Sequence, residues 1–296
     1  DWRQAPKRQK KRRGVGAAAV AAPDAYTYRH DHFPNGRDHT MALLIIDALN
    51  IIRRIHEAVP GEDSEEKVAD TVASSLASFK RALKTHRPTH AVAVFAHGGR
   101  TWKHDLYKPY QAHRKPMPPL LRDGLLTIKQ SLQTLGLHWI AIEGIEADDA
   151  IATLAEKWCQ ASTQQTIILS TDKDFLQLLS DQVCIYDHFK GVWRDEAYVM
   201  EKFGVKPTQM GDLLALMGDA ADNIPGVDKV GAKTAAELLR INGHLDRVIS
   251  NADKVEGQVG AHLRKGIERA RLSRQLVSFK TDMPLGLTWR MLLQQQ

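Results

Sequence analysis

Cysteine is scarce in this chain: Cys159 and Cys184 are the only two among 296 residues, each set in apolar surroundings. Two thiols without metal-ligand spacing exclude a disulfide-built scaffold and a cysteine-ligated zinc site. They are expected to be buried free thiols of a reducing cytoplasm. Long apolar runs are missing as well. No stretch approaches the roughly 20 residues needed to span a bilayer, so no membrane partner is expected. The 13 histidines are scattered, and no Ser–His or Cys–His arrangement offers a nucleophile.

Excess charge of one sign is also missing from most of the chain. The net charge is +6, but residues 1–40 hold nine Lys/Arg against four Asp, which leaves only +1 for residues 41–296. A nearly neutral body binds nucleic acid only through a local basic patch. Residues 1–40 are Lys/Arg-rich, then Ala-rich, then polar without periodicity, as expected of a disordered basic extension. Folded structure is expected to start near Met41. The extension is either an appended upstream segment or a nucleic-acid-binding arm.

From Met41 short apolar runs alternate with helical periods. Strand-like Leu43–Ile46 precedes a helical stretch to about Leu83, followed by strand Ala91–Phe95. A basic, aromatic segment at about 98–118 leads to a helix near Leu120–Leu135. Strand His138–Ile142, a helix from Ala147 to about Gln160, strand Thr166–Leu169 and the runs Val183–Tyr186 and Val192–Trp193 complete this part. The alternation predicts an α/β domain with a parallel sheet over about 41–200. Residues 201–296 read as a smaller domain of helices joined by Gly/Pro turns.

What the chain does have is acid at strand ends. Asp47 follows Leu44-Ile45-Ile46. Glu146, Asp148 and Asp149 lie just past the third strand, Asp172 and Asp174 past the fourth, and Asp219 and Asp222 on a later turn. In a parallel sheet the strand ends share one edge, where ligands bind. Asp148 and Asp149 also suit a first helical turn, but acids at three strand ends exceed that role. Converging carboxylates repel unless cations lie between them. An all-oxygen donor set favours Mg2+ or Mn2+, and a pair of such ions supports phosphodiester hydrolysis.

These residues resemble the bacterial 5′-3′ exonuclease and flap endonuclease family over nearly all of residues 41–296. Leu44-Ile45-Ile46-Asp47-Ala48, Glu146-Ala147-Asp148-Asp149 and Ser170-Thr171-Asp172-Lys173-Asp174 match its acidic signatures in order. Gly218-Asp219-Ala220-Ala221-Asp222-Asn223-Ile224-Pro225-Gly226-Val227, running into Val230-Gly231-Ala232-Lys233-Thr234-Ala235, is similar to its helix–three-turn–helix. Within the family the chain is most similar to the stand-alone, polymerase-free Xni type.

The resemblance implies a PIN- or resolvase-like nuclease core, a helical arch at about 98–118, and a helix–three-turn–helix at about 212–240. It implies a first metal on Asp47, Glu146, Asp148 and Asp149, and a second on Asp172, Asp174, Asp219 and Asp222. It implies K+ on the carbonyls of Leu216, Met217, Pro225, Val227 and Val230. Duplex DNA would be gripped by Lys229, Val230, Gly231, Ala232, Lys233 and Thr234, where glycines and a helix start bring amides to phosphate. In the arch, Lys103 and Arg114 would assist catalysis, Lys108 and Lys115 would contact phosphate, and Trp102, Tyr107 or Tyr110 would stack bases.

The expected substrate is DNA with a 5′ flap or a 5′ single-stranded end beside duplex, and the expected form a cytoplasmic monomer. Two positions depart from the family pattern. Ala96 stands where an Asp follows Val94-Phe95, and Gln111 where a Lys follows Tyr110. They open an alternative, a branched-DNA-binding protein with weak or no catalysis. A ribonuclease with the same acidic core is a third reading, which the hairpin disfavours.

Overall fold

The computed structural model describes residues 42–294. The basic extension expected over residues 1–40 lies outside them.

The chain runs β1 (Ala42–Asp47), α1 (Ala48–Ala58), α2 (Glu65–His86), β2 (His90–Val94), α3 (Trp102–Leu106), α4 (Pro119–Thr134), β3 (His138–Ile140), α5 (Ala147–Ala161), β4 (Gln165–Leu169), β5 (Val183–Asp187) and β6 (Val192–Arg194). There follow α6 (Glu196–Phe203), α7 (Met210–Met217), α8 (Ala232–Asn242), α9 (Leu245–Ser250) and α10 (Gly257–Val277). The helical stretch expected as far as Leu83 is thus two helices. Pro60-Gly61 breaks it, and the Ser64 side chain restarts it by accepting from the Lys67 N–H at 3.2 Å.

The six strands lie in the order β3-β2-β1-β4-β5-β6. The first five are parallel, and β6 turns back antiparallel to β5. Alternate residues of β1 enter opposite cores. Leu43 and Ile45 join Val92, Ile168, Ile151 and Leu213 on one face, while Leu44 and Ile46 join Ile52, Phe79 and Ile128 on the other. A strand covered on both sides is apolar throughout, which is why β1 reads as an unbroken run. The chain leaves β1 for β2 on one side and returns to β4 on the other, so β1 and β4 flank the topological switch point. That is where open α/β sheets bind ligands. Asp47 pairs in register with Val94, and Ile46 with Leu169, so the segments after β1, β2 and β4 emerge together.

The β5–β6 edge braces one of these segments. Arg194 donates to Asp187 Oδ2 at 2.7 Å and to the Thr171 carbonyl at 2.6 Å. Next to it, His188 Nε2 lies 2.8 Å from the Arg81 guanidinium and 2.7 Å from Ser78 Oγ. Arginine can only donate, so this nitrogen accepts and the ring is neutral. Burial, then the Arg81 charge, push the His188 pKa down from 6.5 to about 4. Its stabilising contribution is present above pH 6.5 and is lost as pH falls through about 4. The thermal midpoint is therefore expected to drop across that window, and the drop to shrink in His188→Gln. Identical acid profiles for the two proteins by circular dichroism would refute the assignment.

After β6 the chain is helical, and residues beyond α10 return to the sheet domain. Lys280 N–H donates to Asp149 Oδ1 at 2.9 Å, and Gln294 N–H to the Thr89 carbonyl at 2.8 Å. Cys159 is half-buried and Cys184 buried, and neither is in a disulfide. Among the described residues no helix is long and apolar enough to cross a membrane.

Candidate functional site

Asp47 ends β1 and caps α1, accepting from Asn50 N–H at 3.3 Å and from Ser170 Oγ at 2.9 Å. Ser170 Oγ in turn accepts from Asp172 N–H at 3.0 Å, and Asp172 Oδ1 accepts from Asp174 N–H at 3.0 Å. The turn after β4 is therefore folded around its own acids and locked to β1. Burial, then the charge of Asp172, push the Asp47 pKa up to about 7. Burial, then Asp172, with smaller contributions from Asp219 and Asp222, push Asp174 to about 8, although Lys173 opposes the shift. Asp148, in the first turn of α5, is raised well above the ordinary range by burial, then by Asp172 and Asp47. Asp222 is raised chiefly by burial. Acids from four separate segments thus form one repelling cluster.

Neighbours occupy many of their oxygens. Glu146 accepts from Thr101 Oγ1 at 2.7 Å and Tyr110 Oη at 3.2 Å, with Lys103 Nζ 3.4 Å away. Asp149, fully buried, accepts from Trp102 Nε1 at 2.6 Å and from Lys280 N–H. Asp219 accepts from Lys173 Nζ at 2.5 Å. Accordingly, among the described residues no three His, Cys, Asp or Glu side chains close on one point as a ready-made ion cage. The site nevertheless fits hard divalent cations. Its donors are carboxylate oxygens, and Asp174 Oδ1 and Asp222 Oδ1 are buried with no hydrogen-bond partner. Their nearest cations, Lys173 and Arg114, stand at 3.9 and 3.4 Å.

The basic segment after β2 forms one short helix, α3, followed by turns, and it folds down onto the acids. Lys103 is 3% exposed and lies 5.6–5.8 Å from the ring centres of Tyr110, Trp102 and Phe279. Burial alone would lower its pKa, but Glu146, Asp148, Asp149 and Asp174 together raise it. Arg114 is exposed and pairs with Asp222, so both cations expected in catalysis reach the cluster. The expectation of base stacking fails for Tyr110. It is 2% exposed, because its ring packs in the core and its hydroxyl is held by Glu146. Trp102 is likewise tied by its indole N–H to Asp149. Lys108 and Lys115 are exposed.

Ala96 lies exposed just past β2 on the acidic edge. The rim therefore lacks one carboxylate but keeps eight. Gln111 donates its N–H to the Asp222 carbonyl at 3.0 Å and its side-chain amide to Tyr110 Oη at 3.1 Å. This position anchors the segment to the later turn without supplying charge.

That turn carries the hairpin. Asp219 and Ile224 exchange backbone hydrogen bonds at 3.0 and 2.7 Å, so Asp219 and Asp222 sit on the loop that continues into residues 226–231. Gly226 has φ +59°, and a Cβ there would lie 2.3 Å from Gly218 N, so only glycine lets the two backbones cross. At this crossing Leu216 O accepts from Val227 N–H, Val227 O from Val230 N–H, and Pro225 O from Arg269. Each carbonyl keeps a second lone pair, the ligand type a monovalent cation needs. Lys229, Gly231, Ala232 and Lys233 are exposed at the start of α8, and Thr234 is half-buried. The Val230 side chain is in the core, which leaves only its backbone for a ligand.

Ser170, Lys173 and Thr101 lie inside or beside motifs read from the sequence, yet their bonds to acids were not foreseen. Lys280, 131 residues from Asp149, carries no local signal at all.

The family model described as 5′-3′ exonuclease, N-terminal resolvase-like domain, matches residues 42–204, and that described as 5′-3′ exonuclease, C-terminal SAM fold, matches 205–296. Flap endonuclease Xni of Photobacterium profundum is 39% identical over 249 residues, covering 83% of this chain and 95% of that protein. Flap endonuclease Xni of Shewanella amazonensis is 40% identical over 245 residues, with the same coverage. The solved structure of T5 5′-exonuclease with zinc bound aligns at TM-score 0.71 and 21% identity, over 81% of this chain and 90% of that one. The T5 D15 flap endonuclease in a product-like complex with DNA and metal ions aligns at TM-score 0.70 and 20% identity, with equal coverage. At this identity the likeness is one of fold.

Proposed function

Because the chain belongs to the 5′-3′ exonuclease family, we propose that its acidic rim is the catalytic centre of a structure-specific flap endonuclease and 5′-3′ exonuclease. It hydrolyses DNA phosphodiesters with divalent metal ions. The observation that carries this reading is the convergence of eight carboxylates on an edge continuous with the hairpin. Asp47, Glu146, Asp148 and Asp149 would hold one ion, and Asp172, Asp174, Asp219 and Asp222 the other. Mg2+ or Mn2+ suits the all-oxygen donors. Bound there, such ions polarise the scissile phosphate and make water a stronger nucleophile near neutral pH.

The rest is work for the chain's own groups. Lys103 fixes Glu146 and offsets the charge of the buried acids. Arg114, exposed on the next turn, is free to exchange Asp222 for a substrate phosphate, to which guanidinium binds bidentately. Lys108 and Lys115 guide the 5′ strand across the segment. Lys229, Gly231, Ala232, Lys233 and Thr234, with the Val230 backbone, hold duplex phosphates at the α8 N-terminus. The carbonyls of Leu216, Met217, Pro225, Val227 and Val230 would hold K+ beside that grip. The preference for a 5′ flap, action as a monomer and a cytoplasmic location belong to the same reading.

The test is a 5′-labelled flap substrate with a matched RNA control. Product is expected from DNA only, and only with Mg2+ or Mn2+ present. Ala96→Asp is expected to raise the rate by returning a carboxylate to the rim. Undiminished cleavage in EDTA would overturn the metal assignment. Product from Ala96→Asp alone would favour the branched-DNA binder.

A further inference from the structure

The segment that follows α10 runs back along α5 and is fastened there by several bonds. Thr153 Oγ1 donates to the Lys280 carbonyl at 3.2 Å and accepts from Met283 N–H at 3.3 Å. Lys157 Nζ donates to the Met283 carbonyl at 3.0 Å, and Phe279 stacks on buried Phe175 with ring centres 5.6 Å apart. Lys280 closes a loop of three contacts around one buried acid. Its N–H donates to Asp149 Oδ1, and the Trp102 indole N–H donates to Asp149 Oδ2. The Lys280 ammonium then lies over that same indole, 4.5 Å from the ring centre. Three elements far apart in sequence thus set where one ammonium stands, since the backbone is pinned and the ring face attracts a cation.

The other cations of the rim have carboxylate partners. Lys103 is buried against Glu146, and Arg114 pairs with Asp222. Lys280 is exposed, and among the described residues no carboxylate pairs with its ammonium. We propose that Lys280 contacts a backbone phosphate of the scissile strand, on the side of the rim formed by Glu146 and Asp149. The proposal rests on the reading of the rim as the catalytic centre, and it adds a cation from the far end of the chain. A phosphate approaching clustered acids needs positive charge that those acids do not already hold. An ammonium supplies it as a compact charge with three donors. Lys103 is shut away from a strand passing over the rim, being 3% exposed. Lys280 is not, and its tethered backbone keeps the side chain within reach.

The experiment uses the full chain and a 5′-flap DNA in which single phosphates around the cleavage position are replaced, one at a time, by neutral methylphosphonates. Binding is measured in Ca2+ and single-turnover cleavage in Mg2+. On unmodified DNA, Lys280→Gln is expected to bind about fivefold more weakly, the upper end for an exposed charge pair, with a salt slope lower by about one. Lys280→Arg keeps the charge and is expected to restore both. One methylphosphonate should weaken the parent by the same factor and leave Lys280→Gln no worse, which identifies the phosphate. If Lys280→Gln binds and cleaves like the parent, or if its loss adds to that of every methylphosphonate, the proposal is overturned. A lower thermal midpoint with an unchanged salt slope overturns it too, since the ammonium then only stabilises Trp102. In each of these cases the rim reading stands so long as Asp174→Asn loses cleavage. If Asp174→Asn cleaves like the parent, the rim reading falls and the proposal falls with it.

Discussion

Asp174→Asn is expected to lower metal-dependent cleavage by at least about a hundredfold while making the protein more resistant to heat in EDTA. Loss of a group that merely orients a metal ligand costs about 10–100-fold, and Asp174 is read as a ligand. The stability effect has the opposite sign. Asp174 is buried, one of its oxygens has no hydrogen-bond partner, and Asp172, Asp219 and Asp222 repel its charge. Asparagine keeps the shape, is neutral in the folded and unfolded chain alike, and so spares the cost of protonating a carboxyl whose pKa burial and these neighbours push up to about 8. For a chain of this size the midpoint should rise by about 2–4 °C for each kcal/mol of repulsion relieved. The increment that Mg2+ gives the parent should be largely lost in the variant. Asp149→Asn is the contrast, since both Asp149 oxygens accept strong hydrogen bonds from Trp102 and Lys280. An amide in its place turns a donor toward a donor, so stability should fall along with activity. Differential scanning fluorimetry in EDTA separates the two, and a less stable Asp174→Asn would contradict the account of the cluster.

The acids were legible because each ends a run whose purpose is unmistakable: Ile45-Ile46 must be buried on both faces, so Asp47 must be at an edge. The same logic placed Asp172 and Asp174, and parallel topology then brought them together. The turn after Gly218 was legible too, since glycines and Pro225 mark one, but the crossing of the Gly218 and Gly226 backbones shows only in the structure. Helix ends were less clear where a break depended on a few residues, as at Pro60-Gly61. In the segment after β2 the sequence offers Trp102, Tyr107 or Tyr110 for stacking on bases, and the structure removes one of the three: Tyr110 faces inward and closes over Glu146 and Lys103. A periodic pattern reports which face of an element is apolar, but in a stretch with only five helical residues there is no period to read. Contacts such as Lys280 with Asp149 arise from the return of the chain after α10, and no local spacing encodes them.

Lys103→Met should be the most damaging single change in the segment after β2, and divalent ions should partly repair it. Removing one partner of a buried ion pair costs about 3–5 kcal/mol, because the other charge is left without compensation. Lys103 qualifies: it is 3% exposed, Glu146 lies at 3.4 Å, and Asp148, Asp149 and Asp174 all act on it. Methionine fills a similar volume against Tyr110, Trp102 and Phe279, so the loss isolates the charge from the packing. In EDTA the midpoint is expected to fall by about 10 °C, from 2–4 °C per kcal/mol. In Mg2+ the deficit should narrow, since the same carboxylates then have another counter-charge, whereas a defect of packing would be equal in both buffers. Lys103→Arg preserves the charge but is bulkier and planar, so it should retain stability better than activity. Should Lys103→Met melt with the parent in EDTA, the ammonium is not the counter-ion of the acids and its burial has another cause.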